Sequence, residues 1–203
     1  RVGQPAVDIQ PFSGLAGLAD RRVRVSSPTQ ADWVQALGGK PVLAGFADIM
    51  AQMRGGNLDC AITGTMSGNT IGLHTVTSHV HTMAVSWGLA VFGANGATWQ
   101  ALVPEQQALL RREVQRLERN IWAESERETG EGLACNTSAP GCKGGSLGHM
   151  TQVQTSAADE QRRREILVQT VLPRWIQRCG PPCAEVWNQT IGPAVGIDAK
   201  VSR

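Results

Sequence analysis

The chain carries three short groupings whose residue types could do chemistry. The first is "RCGPPC", residues 178–183, with two cysteines around Gly180-Pro181-Pro182, one proline longer than the Cys-Gly-Pro-Cys of a thiol–disulfide exchanger. A reactive thiolate is favoured at a helix N-terminus, where the positive end of the macrodipole lowers the thiol pKa. Cys179 instead follows a helical pattern and falls at its C-terminal end, so the dipole opposes a thiolate there. The second grouping is Cys135 and Cys142, which with Cys179 and Cys183 could supply four zinc ligands. The Cys-x6-Cys and Cys-x3-Cys spacings lack the tight Cys-x2-Cys of structural zinc sites. His79 and His81, two apart, have no acidic or cysteine partner close in sequence. What remains is a pair of disulfides, Cys135–Cys142 and Cys179–Cys183, each closing a Gly/Pro-rich loop in an oxidising compartment. Four cysteines permit three pairings, and these two join near neighbours. Cys60, inside a strand pattern, is the odd one out and is expected as a buried thiol.

The third grouping lies at the ends of two strand patterns. Arg24 sits near the end of "RVRV", three residues before a capped helix start, and Thr63, Gly64, Thr65 and Met66 follow "NLDCAI". In an open parallel sheet, ligands bind beyond the carboxyl ends of the strands, where helix N-termini also point. A guanidinium fork beside helix-terminal N–H groups can receive a carboxylate, since both aim donors at the same oxygens. The alternative for Arg24 is a surface ion pair. No Gly-x-Ser-x-Gly elbow, Gly-x-Gly-x-x-Gly turn or phosphate loop appears, and "TGTMSGN" lacks the lysine of a phosphate-transfer loop. No enzyme motif stands out, and no cofactor and no metal are expected from these residues. A thiol–disulfide oxidoreductase using the CGPPC motif is the alternative from a different class. A secreted interaction module, with Asn136-Thr137-Ser138 and Asn188-Gln189-Thr190 as glycosylation triplets, is a third.

The elements that must position these groups follow from periodicity. "RVRVSS" alternates as a strand, and "SPTQADWVQALGG" combines Ser27 as cap, Pro28 at the first helical position, Gln30 completing a capping box and Gly38 or Gly39 as the stop. "KPVLAG", "FADIMAQMRGG" and "NLDCAIT" then read as strand, helix and strand. This βαβαβ order favours a parallel sheet with helices on its faces. "GTMSGNTIGLHTV" reads as a Gly-rich loop leading to a mixed segment, and "HTMAVSWGLAVFGAN" as one or two buried strands. From Pro104 to about Glu128, Leu110, Val114, Leu117 and Ile121 recur at helical steps. Residues 129–150, Gly-rich with two cysteines, read as loop or as a pinned excursion. "SAADEQRRREILVQTVLPRWIQRC" returns to helix, with Ile166, Val171 and Trp175 on one side and Pro173 kinking or restarting it.

Composition bounds the rest. With 203 residues, 41% hydrophobic and 18% charged, the chain suits one core or two small lobes. Nineteen basic against seventeen acidic residues leave a net charge of +2, too small for a nucleic-acid footprint. The Arg111-Arg112 and Arg162-Arg163-Arg164 clusters read as solvated helix faces. "MAVSWGLAVFGA" is the longest apolar run and is broken by Ser86 and two glycines, so no membrane span is expected. Tyrosine is absent and phenylalanine numbers 3, so the 6 tryptophans supply most of the large flat surface. The chain opens on Arg1 without a leader, and any signal peptide is expected to be removed or to lie outside these residues.

The stretch "GLADRRVRVSSPTQADWVQALGGKPVLAGFADIMAQMRGGNLDC" resembles the second-lobe signature of the substrate-binding proteins of TRAP transporters, the DctP type. That family shows a strand ending Arg-Val-Pro before a helix, a Leu-Gly-Ala-x-Pro-Val stretch, a Phe-x-Glu-Val-Tyr helix and a Gly-x-Val-Asp-Gly strand. The likeness runs from about Gly14 to the end, through "WNQTIG". It also resembles a subgroup with "DCAITGTMSGN", a Trp-Gly strand and paired C-terminal cysteines. The resemblance implies an α/β, periplasmic-binding-protein-like second lobe over residues 1–82. Crossover strands and a long helix follow over 83–128, then a disulfide-pinned helical segment over 129–203, with most of a first lobe absent. It implies a periplasmic monomer that captures a small organic acid and delivers it to the TRAP membrane subunits. Arg24 stands where the family places the arginine that binds the ligand carboxylate, and Thr63 where many members carry an asparagine that contacts the ligand. Met66 and Trp87 complete the expected site, Trp87 as a pocket wall or else a core residue. Ser26, Asp48 and Met50 replace the family's Pro, Glu and Tyr.

Overall fold

The computed structural model describes residues 2–3 and 6–8 by their backbone and residues 13–88 and 91–200 in full. Strand β1 (Val2–Gly3) is followed by β2 (Ala6–Asp8), β3 (Arg22–Val25), helix α1 (Pro28–Ala36), β4 (Lys40–Leu43), α2 (Ile49–Arg54) and β5 (Cys60–Ile62). Then come α3 (Thr65–Thr70), β6 (His79–His81), β7 (Trp87–Gly88), α4 (Gly96–Gln100), α5 (Pro104–Asn136) and β8 (Thr151–Val153). The chain ends with α6 (Ala157–Ile166), a π-helical segment (Leu167–Val171), α7 (Leu172–Cys179), α8 (Pro181–Gln189) and α9 (Ile191–Val195).

The main sheet has the order β4-β3-β5-β2-β6-β8. β3 runs parallel to both β4 and β5, as the βαβαβ pattern requires. The other half departs from a purely parallel sheet: β2 pairs antiparallel with β5 and β6, and β8 adds parallel to β6. β4 tolerates Pro41 because it is an edge strand, where a missing N–H leaves no ladder bond unmade. The period-2 alternation of a strand sends Val23 and Val25 to one face, where they join Leu18, Trp33, Val34, Ile166 and Val171 in a buried cluster. Ala61, between Cys60 and Ile62, turns to the other face and meets Ile49, Met53, Leu58 and Leu73.

Helix α1 starts as its sequence dictates, with the Ser27 hydroxyl accepting from Gln30 N. The capping box is displaced by one residue, since Gln30 Oε1 accepts from Ser26 N at 2.8 Å and from Ser26 Oγ at 3.0 Å, not from Ser27. The helix ends before Gly38, whose φ of 78° is the left-handed value that a glycine after a C-cap adopts without strain.

Three expectations are corrected. Residues 64–76 are not a loop leading to a mixed segment: α3 and a 3-10 turn over Leu73–Thr75 occupy them. Their glycines concealed the helix, which is held by tertiary contact with α5 rather than by propensity. The described residues of 81–95, which are 81–88 and 91–95, do not form buried strands over their length. Among the described residues of this stretch, His81, the end of β6, and the two residues of β7 are extended in a sheet, and Val91 and Phe92 are exposed. Helix α5 does not stop near Glu128 but continues through Gly130 and Gly132 to Asn136. Gly132 is required there, because a Cβ at that position would lie 2.6 Å from the Thr65 carbonyl carbon. Tertiary packing thus overrides the low helix propensity of glycine. The apolar stripe of Leu110, Val114 and Leu117 on this helix is exposed.

Both cysteine pairs are joined, Cys135–Cys142 with Cα atoms 4.6 Å apart and Cys179–Cys183 with Cα atoms 6.0 Å apart. Cys60 is fully buried outside either bridge. Pro173 lies in the first turn of α7, directly after the π segment, where its missing N–H is tolerated. Among the described residues no helix is long and apolar enough to cross a membrane.

Candidate functional site

β3 carries two arginines, Arg22 and Arg24, which the strand alternation places on the same face. Their environments differ sharply. Arg22, at the start of the strand, is fully engaged by an acid: its Nε and Nη2 meet the Asp59 carboxylate at 2.9 and 2.5 Å, and its Nη1 donates to the Gly56 carbonyl at 2.6 Å. That pairing holds Asp59 well below the usual carboxylate range, chiefly through the side-chain bond from Arg22. It is a structural clamp between the starts of β3 and β5.

Arg24, at the carboxyl end of the same strand, is 5% exposed. Its Nε donates to the Ala44 carbonyl at 3.0 Å and its Nη1 to the Ile62 carbonyl at 2.8 Å. Those carbonyls follow β4 and end β5, the two strands that flank β3, so parallel pairing itself builds the cradle. Backbone oxygens orient a guanidinium without neutralising it. Two bonds use two of the five N–H groups, and among the described residues no carboxylate pairs with Arg24. Its pKa is lowered by burial alone, the signature of a cation taken from water without a counter-charge. The surface ion pair left open by the sequence is therefore replaced by a buried, oriented cation.

Thr63 follows Ile62 directly, so the carbonyl that holds Arg24 also sets Thr63 beside it. Thr63 is 3% exposed. Met66 is half-buried in the first turn of α3. The Thr65 hydroxyl is engaged elsewhere, donating to the Thr129 carbonyl of α5 at 2.9 Å. Arg24 is thus linked to the residue preceding Thr63 through the Ile62 carbonyl. Trp87 is not in the core: it is 53% exposed and lines a cavity of about 390 Å³ whose walls include Gln30, Trp33 and Ser86. Arg24, Thr63 and Met66 do not line that cavity, so Trp87 stands apart from the other three.

Sequence reasoning missed several residues that shape this region. Gln30 looked like a local cap, yet its Nε2 donates to Ser86 Oγ at 2.7 Å and ties α1 to the segment that leads to β7. Asn69 and Asn136 form a buried polar hub beneath α3. Asn69 Nδ2 donates to Asn136 Oδ1 at 3.0 Å and to the Ser146 carbonyl at 2.8 Å, and Asn136 Nδ2 donates to the Thr65 carbonyl at 3.0 Å. Glu131 completes it, accepting from Gly144 N at 2.5 Å and Lys143 N at 3.1 Å. These bonds, the Gly144 N–H first, hold its carboxyl below the usual range against the opposing effect of burial. The 135–142 bridge and this hub fasten the 137–150 loop to the helix that follows Thr63. A pair of buried asparagines 67 residues apart leaves no local signal.

His79 and His81 have separate partners. His79 Nδ1 meets Ser78 Oγ at 2.8 Å, whereas buried His81 accepts from Met83 N through Nδ1 at 3.1 Å and places Nε2 3.7 Å from Asp159.

A family model described as DctP, bacterial extracellular solute-binding protein family 7, matches residues 8–164. No curated protein sequence matches the chain. Its structure is similar to that of a TRAP periplasmic solute-binding protein from Desulfovibrio salexigens with bound orotic acid, with a TM-score of 0.76 at 16% identity, over 93% of this chain and 58% of that one. The periplasmic ectoine-binding protein of the TeaABC TRAP transporter of Halomonas elongata aligns equally well, at 0.76 and 16%, over 93% and 59%. A TRAP periplasmic solute-binding protein from Shewanella oneidensis with bound succinate gives 0.73 and 14%, over 88% and 56%. The chain therefore spans under two thirds of these structures, and at such identities the likeness concerns the fold.

Proposed function

This chain belongs to bacterial extracellular solute-binding protein family 7, and from that premise we propose that it is the ligand-binding part of a TRAP transporter receptor. It takes a small carboxylate in the periplasm and presents it to the membrane subunits, without altering it chemically. The observation that carries the reading is Arg24: a buried guanidinium, oriented by two strand-end carbonyls and lacking an acidic partner among the described residues. A charge held that way is costly to the empty protein. A ligand carboxylate repays the cost, through a charge-assisted bond of about 1.5–3 kcal/mol. Arg22, two residues earlier, shows how the same strand satisfies an arginine whose role is structural.

Thr63, which follows the Ile62 carbonyl that holds the guanidinium, and Met66 at the start of α3 are the further contacts proposed for the ligand. The ligand makes its main polar contact through its carboxylate, and closure is selected when the guanidinium gains a desolvated partner. Neighbours of similar fold were solved with orotic acid, succinate and malonate, which defines a panel to try. Thermal-shift screening of those acids against the protein, followed by calorimetry on any hit, tests the proposal. The hit is expected to lose at least tenfold in affinity in Arg24→Lys, which keeps charge but not the fork, and to show no binding in Arg24→Ala. Unchanged affinity in a folded Arg24→Ala protein refutes the assignment.

A further inference from the structure

The cavity that holds Trp87 lies on the opposite side of β3 from Arg24, between α1, the π-helical segment and the C-terminal helices. Its volume of about 390 Å³ falls within the range of small-molecule sites. Three of the six tryptophans line it, Trp33 from α1, Trp87 from β7 and Trp187 from α8. Leu167 and Val171, the first and last residues of the π segment, supply aliphatic wall. A π turn is rare and is frequently found at functional sites. Here it sits at the cavity face of an otherwise α-helical run.

The charge at the mouth is positive. Arg164 lines the cavity and is exposed, with Nη1 and Nη2 donating to the Val195 and Gly196 carbonyls at 3.2 and 3.0 Å. Those bonds fix the guanidinium beside the opening, and among the described residues no carboxylate pairs with it. Its neighbour Arg163, also in the lining, is by contrast paired with Glu160. Flat aromatic walls select a flat apolar body, because ring faces pack well only against planar groups or aliphatic edges. An oriented cation without an acid selects an anionic end.

We propose that this cavity is a second binding site, which takes an aromatic carboxylate with its ring among Trp33, Trp87 and Trp187 and its anionic end at Arg164. The site is independent of Arg24, so it stands or falls apart from the receptor function above.

Calorimetric titration with 2-naphthoate and with its neutral relative 2-naphthalenemethanol tests it. The protein binds one 2-naphthoate per chain. Val195→Trp, at a half-exposed lining position that accepts a larger side chain without disturbing the core, fills the cavity and weakens both probes at least tenfold. Arg164→Gln weakens 2-naphthoate by roughly tenfold, the loss of one charge-assisted bond, and leaves 2-naphthalenemethanol unchanged. Arg24→Ala changes neither. The proposal is overturned by absence of 2-naphthoate binding, by binding insensitive to Val195→Trp in a protein of unaltered circular dichroism, or by binding that Arg24→Ala abolishes. The last outcome assigns the aromatic acid to the Arg24 centre instead.

Discussion

Arg22 and Arg24 are chemically identical and share one strand face, yet among the described residues only Arg22 has an acidic partner. Separating them needed the partners: "RVRV" names two arginines, while the acid that claims the first lies 37 positions away at Asp59. Ser26 illustrates the same point. It replaces the proline of the resembled pattern, and its N–H and hydroxyl are taken up by Gln30, groups that a proline would not offer. His81 yields a prediction at this scale. Burial lowers its pKa, an effect that Asp159 opposes but does not cancel. A histidine lowered in the folded state takes its proton more readily when unfolded, so stability falls as pH drops below the unfolded value of about 6.5. Asp59, Glu131 and Asp159 are held low and so lose their contribution only at more acid pH, as they protonate on passing below the ordinary carboxylate range. Urea midpoints measured from pH 7.5 to 4 should begin to fall near pH 6.5 in the native protein, and His81→Gln should remove that first part of the slope. Superimposable curves would show that His81 is not the group responsible.

At the scale of elements, the close approach of α5 to α3 depends on Gly132, and Gly132→Ala should cost about 1–3 kcal/mol by overpacking, read as a lower urea midpoint. A midpoint unchanged within error would mean that the helices separate freely. Replacing Cys179 and Cys183 by alanine should cost about 2 kcal/mol, as expected for a short closed loop, and leave carboxylate binding unaltered. The native protein should fail to reduce insulin; turnover would favour the redox reading of "RCGPPC". The bridge joins the last residue of α7 to the first turn of α8, while the preceding Arg178 and Arg174 reach Asp32 of α1 at 2.7 and 3.0 Å. Those ion pairs fasten the stapled corner to the lobe. The strands and helix of 22–54 were legible because period, caps and stops agree there. Helix α3 was not, since "GTMSGN" carries loop composition and the packing that makes it helical comes from residues about 65 positions later.

For the whole molecule, the parallel half of the sheet followed from the βαβαβ order, whereas its antiparallel β2 and the added β8 did not. Strands of three residues leave almost no periodic trace, and their positions between β5 and β6 and beside β6 are set by long-range pairing. Arg24 was legible from its place at a strand end, and its carbonyl cradle only from the register of β3 against β4 and β5. The cavity of Trp33, Trp87 and Trp187 draws on three distant segments, and only the number of tryptophans hinted at it. The central claim is that Arg24 receives the ligand carboxylate. A crystal structure of the protein with the tightest acid from the thermal-shift panel tests this directly. The expected result is a ligand carboxylate oxygen about 3 Å from an Arg24 Nη, with Nε still bonded to the Ala44 carbonyl. A bound acid lying elsewhere, with Arg24 untouched, would contradict it.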